Sequence, residues 1–398
     1  MRILRVIASV DPATGGPVAG LRAITPALER LGHTSEFLTV DDPIEGYLQS
    51  FVGSVHATGP AKGGYSYSPR FRRWLEKNAR SFDAIIVHGL WQHLGRTVRA
   101  VTREAGGPPY FVFPHGMLDP TLRQTYPVKH VKKWLYWIAV EHRILRDARA
   151  VFFTCEEERR LARTTFPLYR CNERVVSYGT AEPDGDPADW QNAWRSRFPA
   201  LESRRYFLFL GRLHSKKGVD MLLRAYGRVS RERAANKNGP TPDLVLAGPC
   251  LDPSYLAQLR ALAKEQEVES HVHWTGMLTG DAKWGAMRNA EAFILPSRQE
   301  NFGIAVVEAL ASGTPVLLSD RVNIWREIVA DNAALVEPAN DDGTARLLHR
   351  WLLMDSTARA KMSAAARTCF DRRFEVAHAA KNLSEQLSGL IAHGVSAA

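Results

Sequence analysis

Cysteine is scarce in this sequence. Only four cysteines occur among 398 residues, at Cys155, Cys171, Cys250 and Cys369, and no two of them form a C-x-x-C pair. This excludes the disulfide-dense scaffold of a small secreted domain. We therefore expect free thiols in a reducing compartment.

Long apolar runs are also absent. No stretch of about 18 consecutive apolar residues occurs, as a membrane-spanning helix would require. The apolar segment at residues 1–10 is too short and too interrupted for a signal peptide, and no A-x-A-like cleavage site follows it. The sequence predicts a cytoplasmic protein of ordinary globular composition, with 45% hydrophobic and 24% charged residues.

Several familiar binding signatures are missing. The chain contains neither a P-loop (G-x-x-x-x-G-K-[ST]) nor the G-x-G-x-x-G of dinucleotide-binding domains. It also lacks a helix-turn-helix, a zinc finger and an RNA-binding signature. We expect no nucleic-acid partner.

Positive charge is concentrated in the first half of the chain. The formal net charge is +10, and residues 1–180 hold 25 Lys and Arg against 16 Asp and Glu, whereas the remainder holds 27 against 26. Such asymmetry favours an anionic partner, such as an acidic lipid or a phosphorylated substrate. The alternative is a merely solvated basic surface.

Short apolar strands alternate with helical segments in both halves of the chain, which predicts parallel sheets covered by helices on both faces. Pro, Gly and Asp cluster at residues 181–201, as in a linker. We predict an α/β protein with two doubly wound domains, residues 1–180 and 202–375, that face one another across a ligand-binding cleft. Residues 376–398 are expected to form a C-terminal helix that packs back on the first domain.

The strongest functional signal lies in residues 295–316, which read as strand, loop, helix and strand. Gly303 lies where the helix should begin. The free backbone N–H groups at the start of this helix, together with the helix dipole, suit a phosphate. Glu300 in the loop and Glu308 in the helix are suited to accept hydrogen bonds from hydroxyl groups of a sugar and a ribose. The alternative is a helix-capping acid at Glu300 and a solvated surface residue at Glu308.

Two further segments suit an anion. In residues 211–218, Arg212 offers a bidentate fork and Lys217 a mobile cation, which together can neutralise a diphosphate leaving group. Gly15 and Gly16, after the first strand, permit close approach of the backbone to a bulky anion. Taken alone, the first segment would be an ordinary solvated loop and the second a plain turn.

Together these three segments resemble the family 4 retaining glycosyltransferases, of the group 1 type, whose GT-B fold consists of two facing Rossmann-like domains. The resemblance covers essentially the whole chain. It rests on E-x7-E, at Glu300 and Glu308, combined with G-R-x(4)-K-G, at Arg212 and Lys217. It implies that the donor is a nucleotide-sugar, with the first Glu on the sugar, the second on the ribose and the two cations on the diphosphate.

The resemblance also implies roles outside these motifs. His115 falls where the family carries an active-site histidine near the reacting sugar; the alternative is a structural histidine after a strand. The expected catalytic residues are His115, Arg212, Lys217 and Glu300. The expected donor-binding residues are Gly15, Gly16, Arg212, Lys217, Glu300, Asn301, Phe302, Gly303, Ile304 and Glu308.

No metal and no cofactor are expected. Asp184 and Asp186 match the D-x-D pattern that binds Mn²⁺ in another glycosyltransferase fold, but here they lie in the predicted linker as ordinary turn residues. His88, His93 and His115 follow different strands without the short spacing of zinc ligands. The resemblance implies retention at the anomeric carbon, and we hypothesise front-face transfer because no carboxylate presents itself as a nucleophile.

Basic and aromatic residues form two clusters in the first domain. Such a surface suits anionic lipid, so we expect a glycan or lipid-linked acceptor there and peripheral association with the cytoplasmic face of the inner membrane. The alternative is that Trp134 and Trp137 pack inside as one helical stripe. The first cluster comprises Arg123, Lys129, Lys132, Lys133, Trp134, Tyr136, Trp137, Arg143 and Arg146, and the second Tyr65, Tyr67, Arg70, Arg72, Arg73 and Trp74.

The sequence thus predicts a hexosyltransferase, with bacterial surface polysaccharide synthesis as the role that the family suggests. Two other classes remain open. A sugar-nucleotide 2-epimerase shares the fold and acts without an acceptor. A non-catalytic relative would only bind an anionic partner, although intact Glu300, Glu308, Arg212 and Lys217 argue against it.

Overall fold

The computed structural model describes residues 1–104, 106–121, 127–237 and 239–395, and the side chains of all of these except 127–130 and 393–395. The chain divides into two units. The first unit comprises Met1–Ala181 together with the chain from Glu375 onward, and the second comprises Glu182–Phe374.

A parallel sheet of seven strands forms the centre of the described part of the first unit, in the order β3-β2-β1-β4-β5-β6-β7. Its strands are β1 (Arg2–Val6), β2 (Thr34–Thr39), β3 (Ser54–Ala57), β4 (Ala84–His88), β5 (Tyr110–Phe113), β6 (Ala150–Phe153) and β7 (Glu173–Val175). The helices that follow these strands are α1 (Gly16–Arg30), α2 (Pro69–Asn78), α3 (His93–Glu104), α4 (Pro127–Tyr136), α5 (His142–Asp147) and α6 (Glu156–Ala162).

Both faces of this sheet are covered, which explains why its inner strands are mostly apolar. Successive side chains of a strand point to opposite faces. Leu4 and Val6 accordingly pack in one hydrophobic cluster with Phe71 of α2, and Ile3 packs in the other with Leu28 of α1.

The second unit contains a parallel sheet of six strands among its described residues, in the order β10-β9-β8-β11-β12-β13. Its strands are β8 (Tyr206–Leu210), β9 (Asp243–Ala247), β10 (Val272–Gly276), β11 (Ala292–Leu295), β12 (Val316–Ser319) and β13 (Ala334–Glu337). Its helices are α7 (Pro187–Arg197), α8 (Val219–Ala235), α9 (Pro253–Glu265), α10 (Gly280–Arg288), α11 (Ile304–Ala311), α12 (Trp325–Ala330), α13 (Asp341–Leu353) and α14 (Ser356–Cys369).

The strand order reverses once in each sheet, between β1 and β4 and between β8 and β11. Loops at the carboxyl ends of the strands on either side of such a reversal leave a crevice in which open α/β sheets bind ligands. Both units are therefore Rossmann-like and doubly wound, as the sequence predicts.

The segment predicted as a linker is not without regular structure, because residues 187–197 form helix α7. The Asp186 carboxylate caps its first turn by accepting the Ala188 N–H at 2.7 Å, and Pro187 occupies the first helical position, where no N–H is needed. Trp190 and Trp194 are buried one turn apart on the same face. Thus the Pro and Asp that were interpreted as linker composition are the signals of a helix start.

The last helix, α15 (Val376–Val395), packs against α1 of the first unit. His33 Nε2 lies 2.7 Å from Ser384 Oγ, and the Ser177 N–H donates to Asn382 Oδ1 at 3.0 Å. None of the helices described in the structure combines the length and apolar character needed to cross a membrane.

Candidate functional site

The two loops that leave β8 and β11 carry the residues with the strongest functional signal, and they meet at the strand-order reversal of the second sheet. Lys217 and Glu300 form an ion pair across these loops, and both side chains are partly buried. The Arg298 N–H donates to the Lys216 carbonyl at 2.8 Å, and the Arg298 guanidinium binds Asp220 at 2.7 Å. Because these contacts join the loops, Lys217 and Glu300 are held together although 83 residues separate them.

Two glycines explain why the basic loop takes this path. Gly218 has φ of 70°, and a Cβ there would lie 2.3 Å from the carbonyl oxygen of Pro296, at the exit of β11. A Cβ on Gly248, which follows β9, would lie 2.0 Å from the carbonyl oxygen of Gly211. Gly218 of G-R-x(4)-K-G and Gly248 outside that motif thus permit neighbouring strand exits to approach closely.

Glu300 is further positioned by a loop that the sequence analysis missed, residues 320–323 after β12. The Glu300 N–H donates to the Arg321 carbonyl at 2.9 Å, and the Glu300 carbonyl accepts the Asn323 N–H at 3.0 Å. No motif marks this loop. The loop could have been found only from its position after β12, a buried strand that lies next to β11. That position is known only once the strand order of the sheet is known.

Helix α11 begins at Ile304, as predicted, with Gly303 as its N-cap at φ of 78°. Gly303 supplies no capping side chain, which suits this helix end to donate its first backbone N–H groups to an anionic ligand. Phe302 is only 6% exposed and packs edge-to-face on Phe374 at 5.9 Å. Its side chain therefore belongs to the core, and Phe302 can meet a ligand mainly through its backbone.

Glu308 is not the solvated surface residue of the alternative interpretation. Its Oε1 accepts from Lys283 Nζ at 2.9 Å, and the two side chains are only 14% and 19% exposed. Lys283 Nζ also lies 4.0 Å from the ring centroid of Trp284. Lys283 could not be identified from the sequence, because 25 residues separate it from Glu308 and no spacing rule joins them.

Arg212 differs from these residues in being exposed. It has no ion-pair partner among the described residues, so its guanidinium remains available to a diphosphate. His214, between the two cations, accepts the Lys216 N–H on Nδ1 at 3.1 Å. Partial burial, followed by the charges of Lys216 and Arg212, lowers the pKa of His214 from its usual value.

The remaining predicted site residues lie in the first unit. Gly15 has φ of 96° and Gly16 begins α1, and a Cβ at either position would have no heavy atom within 4 Å. This glycine loop is therefore open on the side that a Cβ would occupy. His115 follows β5 with a positive φ of 50°, and its Nε2 lies 2.9 Å from Nδ1 of His88, at the end of β4. Desolvation, followed by the charge of Arg5, lowers the pKa of His115 to about 4.

Comparison with known families agrees with this arrangement. The model described as "Glycosyl transferases group 1" matches residues 191–368, and that of the "Glycosyl transferase 4-like domain" matches residues 15–179. The two matches occupy most of the second and first units. The chain belongs to the group 1 glycosyltransferases.

Curated relatives of this group 1 family member match parts of it. The D-inositol 3-phosphate glycosyltransferase of Jonesia denitrificans is 31% identical over 163 residues, which is 40% of this chain and 37% of the relative. The mannosylfructose-phosphate synthase of Agrobacterium fabrum is 32% identical over 132 residues, 32% of this chain and 28% of the relative. The matched segments therefore span only about a third of the length of these relatives.

Solved structures resemble this group 1 family member over nearly its full length. The sucrose-phosphate synthase of Thermosynechococcus elongatus has a TM-score of 0.77 at 19% identity, covering 98% of this chain and 99% of the other. Anabaena HepE in complex with UDP-glucose has a TM-score of 0.74 at 18% identity, covering 98% and 100%. These likenesses identify the fold as GT-B.

The aromatic residues of the first basic cluster are divided between surface and core. Trp137 is fully buried and donates from Nε1 to the Pro167 carbonyl at 2.6 Å, whereas Trp134 is 41% exposed. The alternative that both rings pack inside therefore holds for Trp137 and is wrong for Trp134. Arg123 lies outside the described residues, as does the side chain of Lys129.

Several cations of the two clusters are neutralised. Arg146 pairs with Asp147 at 2.8 Å, and Arg72 pairs with Glu76 at 2.7 Å. Tyr65 and Tyr136 are joined by a 2.9 Å hydrogen bond between their hydroxyl groups. The second cluster is therefore less cationic than its sequence suggests.

The side chains considered for metals do not form one cluster in the described part of the chain, although His88 and His115 contact each other. Asp186 is occupied as a helix cap, and His93 Nε2 lies 2.9 Å from Thr97 Oγ1 on its own helix. Within the described ranges, no group of three or more His, Cys, Asp and Glu side chains is placed to hold a metal ion. The four cysteines, all within these ranges, form no disulfide.

Proposed function

We propose that this protein is a retaining glycosyltransferase that moves a hexose from a nucleoside-diphosphate sugar to a glycan or lipid-linked acceptor. The observation that carries the proposal is the Lys217–Glu300 ion pair at the strand-order reversal of the second sheet. It places a cation and a hydrogen-bonding carboxylate together where open α/β sheets bind ligands.

The neighbouring groups suit the other parts of such a donor. Arg212 and the N-terminal N–H groups of α11 are suited to the diphosphate, and Glu308 to the ribose hydroxyls. The HepE complex with UDP-glucose, which has the same fold, and the glycosyltransferase names of the relatives support a nucleotide-sugar donor.

In the reaction, the bond between the anomeric carbon and the β-phosphate oxygen breaks while the acceptor hydroxyl bonds to the same face of the sugar. The hydroxyl proton passes to the departing diphosphate. Lys217, Arg212 and the helix N-terminus would stabilise the charge on the leaving oxygen. The chain's own cations thus supply the stabilisation, and we propose that the donor site needs no metal.

Thermal unfolding with UDP-, GDP- and ADP-sugars in EDTA tests the donor site. We expect one sugar nucleotide to stabilise the wild type, by about 2.7 kcal/mol at 100 times its dissociation constant. Glu308→Ala should lose this stabilisation, because the ribose contact is removed and Lys283 is left without its partner. Glu265→Ala removes an exposed carboxylate of the same unit and should respond like the wild type.

The outcomes distinguish the alternatives. Stabilisation by a nucleotide without consumption of its sugar in the presence of acceptors would favour a binding protein. Epimerised donor formed with no acceptor present would identify a 2-epimerase. If no sugar nucleotide stabilises the wild type, the proposed donor site is refuted.

We also propose that the acceptor is reached at an anionic membrane surface, in keeping with a role in bacterial surface polysaccharide synthesis. The observation in favour is the exposure of Val131, Trp134 and Leu135 on α4, at 61%, 41% and 60%, beside exposed Lys132. Apolar side chains with an adjacent cation suit the boundary between headgroups and acyl chains.

Sedimentation with vesicles containing phosphatidylglycerol tests this surface. We expect the wild type to bind them at low salt, and the triple variant Val131→Ser, Trp134→Ser, Leu135→Ser to remain in the supernatant. Leu353→Ser removes an apolar side chain that is 83% exposed in the second unit and should leave binding unchanged. Equal binding by the triple variant, or none by the wild type, would refute membrane association through α4.

A further inference from the structure

A buried arginine near His115 lacks the partners that a buried charge normally has. Arg5 on β1 is 1% exposed and has no ion-pair partner among the described residues. Its Nε lies 3.5 Å from Ser35 Oγ, its Nη1 lies 3.4 Å from Nε2 of His88, and its Nη2 has no hydrogen-bond partner. A buried cation without a carboxylate costs stability, so its presence indicates a role other than stabilising the fold.

Arg5 is the first of three side chains in series. Its Nη1 contacts Nε2 of His88, and Nδ1 of His88 contacts Nε2 of His115 at 2.9 Å. The rings of His88, Phe113 and His115 lie nearly parallel and each contacts the other two, with centroid distances of 5.3 to 5.5 Å. The two imidazoles are therefore held both by hydrogen bonds and by stacking.

The direction of these hydrogen bonds follows from the chemistry of arginine. A guanidinium is a donor only, so Nε2 of His88 must accept. A neutral His88 then carries its proton on Nδ1 and donates it to Nε2 of His115. A neutral His115 consequently carries its own proton on Nδ1, which has no partner among the described residues.

We propose that Arg5 and His88 are positioning residues that fix His115 as the Nδ1–H tautomer, so that His115 donates a hydrogen bond to an oxygen of a ligand bound at the carboxyl ends of β4 and β5. This inference rests on the proposed function for the identity of the ligand, although the tautomer itself does not depend on it. With Nε2 occupied and Nδ1 protonated, His115 has no free lone pair and does not act as a general base.

The surroundings keep both imidazoles neutral. Desolvation, followed by His115 and Arg5, holds the pKa of His88 well below its usual value, and the pKa of His115 is about 4. The other ionisable groups at hand are Tyr178, whose ring lies 6.2 Å from that of His115, and Glu158, which accepts the N–H of Gly116 at 2.6 Å. Because the pKa of His115 is lowered, its neutral tautomer, in which Nε2 accepts from His88, predominates at neutral pH and gives way to the imidazolium only as the pH falls toward 4.

Long-range ¹H–¹⁵N spectra of His115 and kinetics against pH test the proposal. We expect the wild type to show a protonated Nδ1 and an unprotonated Nε2. Arg5→Met removes the donor and the charge, so the pKa of His115 should rise and the acid limb of kcat should move to higher pH. At neutral pH, kcat should fall about tenfold or more with little change in KM for the donor. Arg5→Lys keeps a cation and should restore part of kcat.

Two further variants separate this role from a structural one. Arg2→Met makes the same change at an exposed arginine of the same strand and should leave the pH profile unchanged. His88→Phe keeps the stacking but removes the donor, and should reproduce the Arg5→Met profile even if Arg5→Met folds poorly. A wild-type spectrum with Nε2 protonated, or unchanged pH profiles in both Arg5→Met and His88→Phe, would overturn the inference. An Nδ1–H spectrum without any donor-dependent thermal stabilisation would overturn the proposed function alone.

Discussion

Lys217→Met should lower kcat by about 10²- to 10³-fold, the cost of removing one preorganised group that stabilises charge in a transition state. Lys217 is the cation of the ion pair with Glu300, and its partial burial strengthens its interaction with a leaving diphosphate. The measurement is steady-state transfer with the donor identified by thermal stabilisation. Donor KM should change less than kcat, because the charge on the leaving oxygen develops as the bond breaks.

Lys216→Met is the matched control for this experiment. It makes the same change one residue away, and its backbone carbonyl can still accept the Arg298 N–H. We expect close to wild-type kcat in this variant. Equal losses in the two variants would show that the loop acts only through its net charge and would refute a specific role for Lys217.

Gly218→Ala should destabilise the second unit by about 2–4 kcal/mol, the sum of the cost of a left-handed alanine and of an overpacked contact. The residue has φ of 70°, and its Cβ would lie 2.3 Å from a backbone carbonyl oxygen, which no rotamer change can relieve. The midpoint of urea unfolding measures this loss. Because that oxygen belongs to Pro296, at the exit of β11, the variant should also lose donor-dependent stabilisation.

Gly239→Ala separates the two causes. Gly239 has φ of 76° in the same unit, but its Cβ would have no heavy atom within 4 Å. We expect it to lose only about 1–2 kcal/mol, the conformational part, and to keep donor binding. A similar loss in both variants would show that the close approach of the β8 and β11 exits contributes little.

The predicted elements were most accurate where one local signal determines the structure. Glu300 lies in a loop after a strand and Glu308 within a helix, as predicted, because apolar periodicity and Gly303 fix both positions locally. The interpretation of residues 181–201 as a linker was wrong over α7. There the composition of a helix start, Asp186 followed by Pro187, is the same as that of a turn, and only the burial of Trp190 distinguishes them.

Contacts between segments that are distant along the chain could not be predicted from the sequence. Lys283 binds Glu308 because α10 and α11 are neighbours, and Asn323 binds Glu300 because β12 lies beside β11. Nothing in the sequence marked Arg5 as a functional residue. A single cation in an apolar strand cannot be assigned a partner before β4 is placed next to β1.

By itself the sequence determined the alternation of strands and helices, the doubly wound class of both units and the motif residues at the strand exits. These features depend on side-chain periodicity and on glycine conformations, which are local properties of the chain. Only the tertiary structure decided which side chains those residues meet. Strand order brings together residues that lie tens of residues apart, and the partners of Lys217, Glu308 and His115 follow from that order.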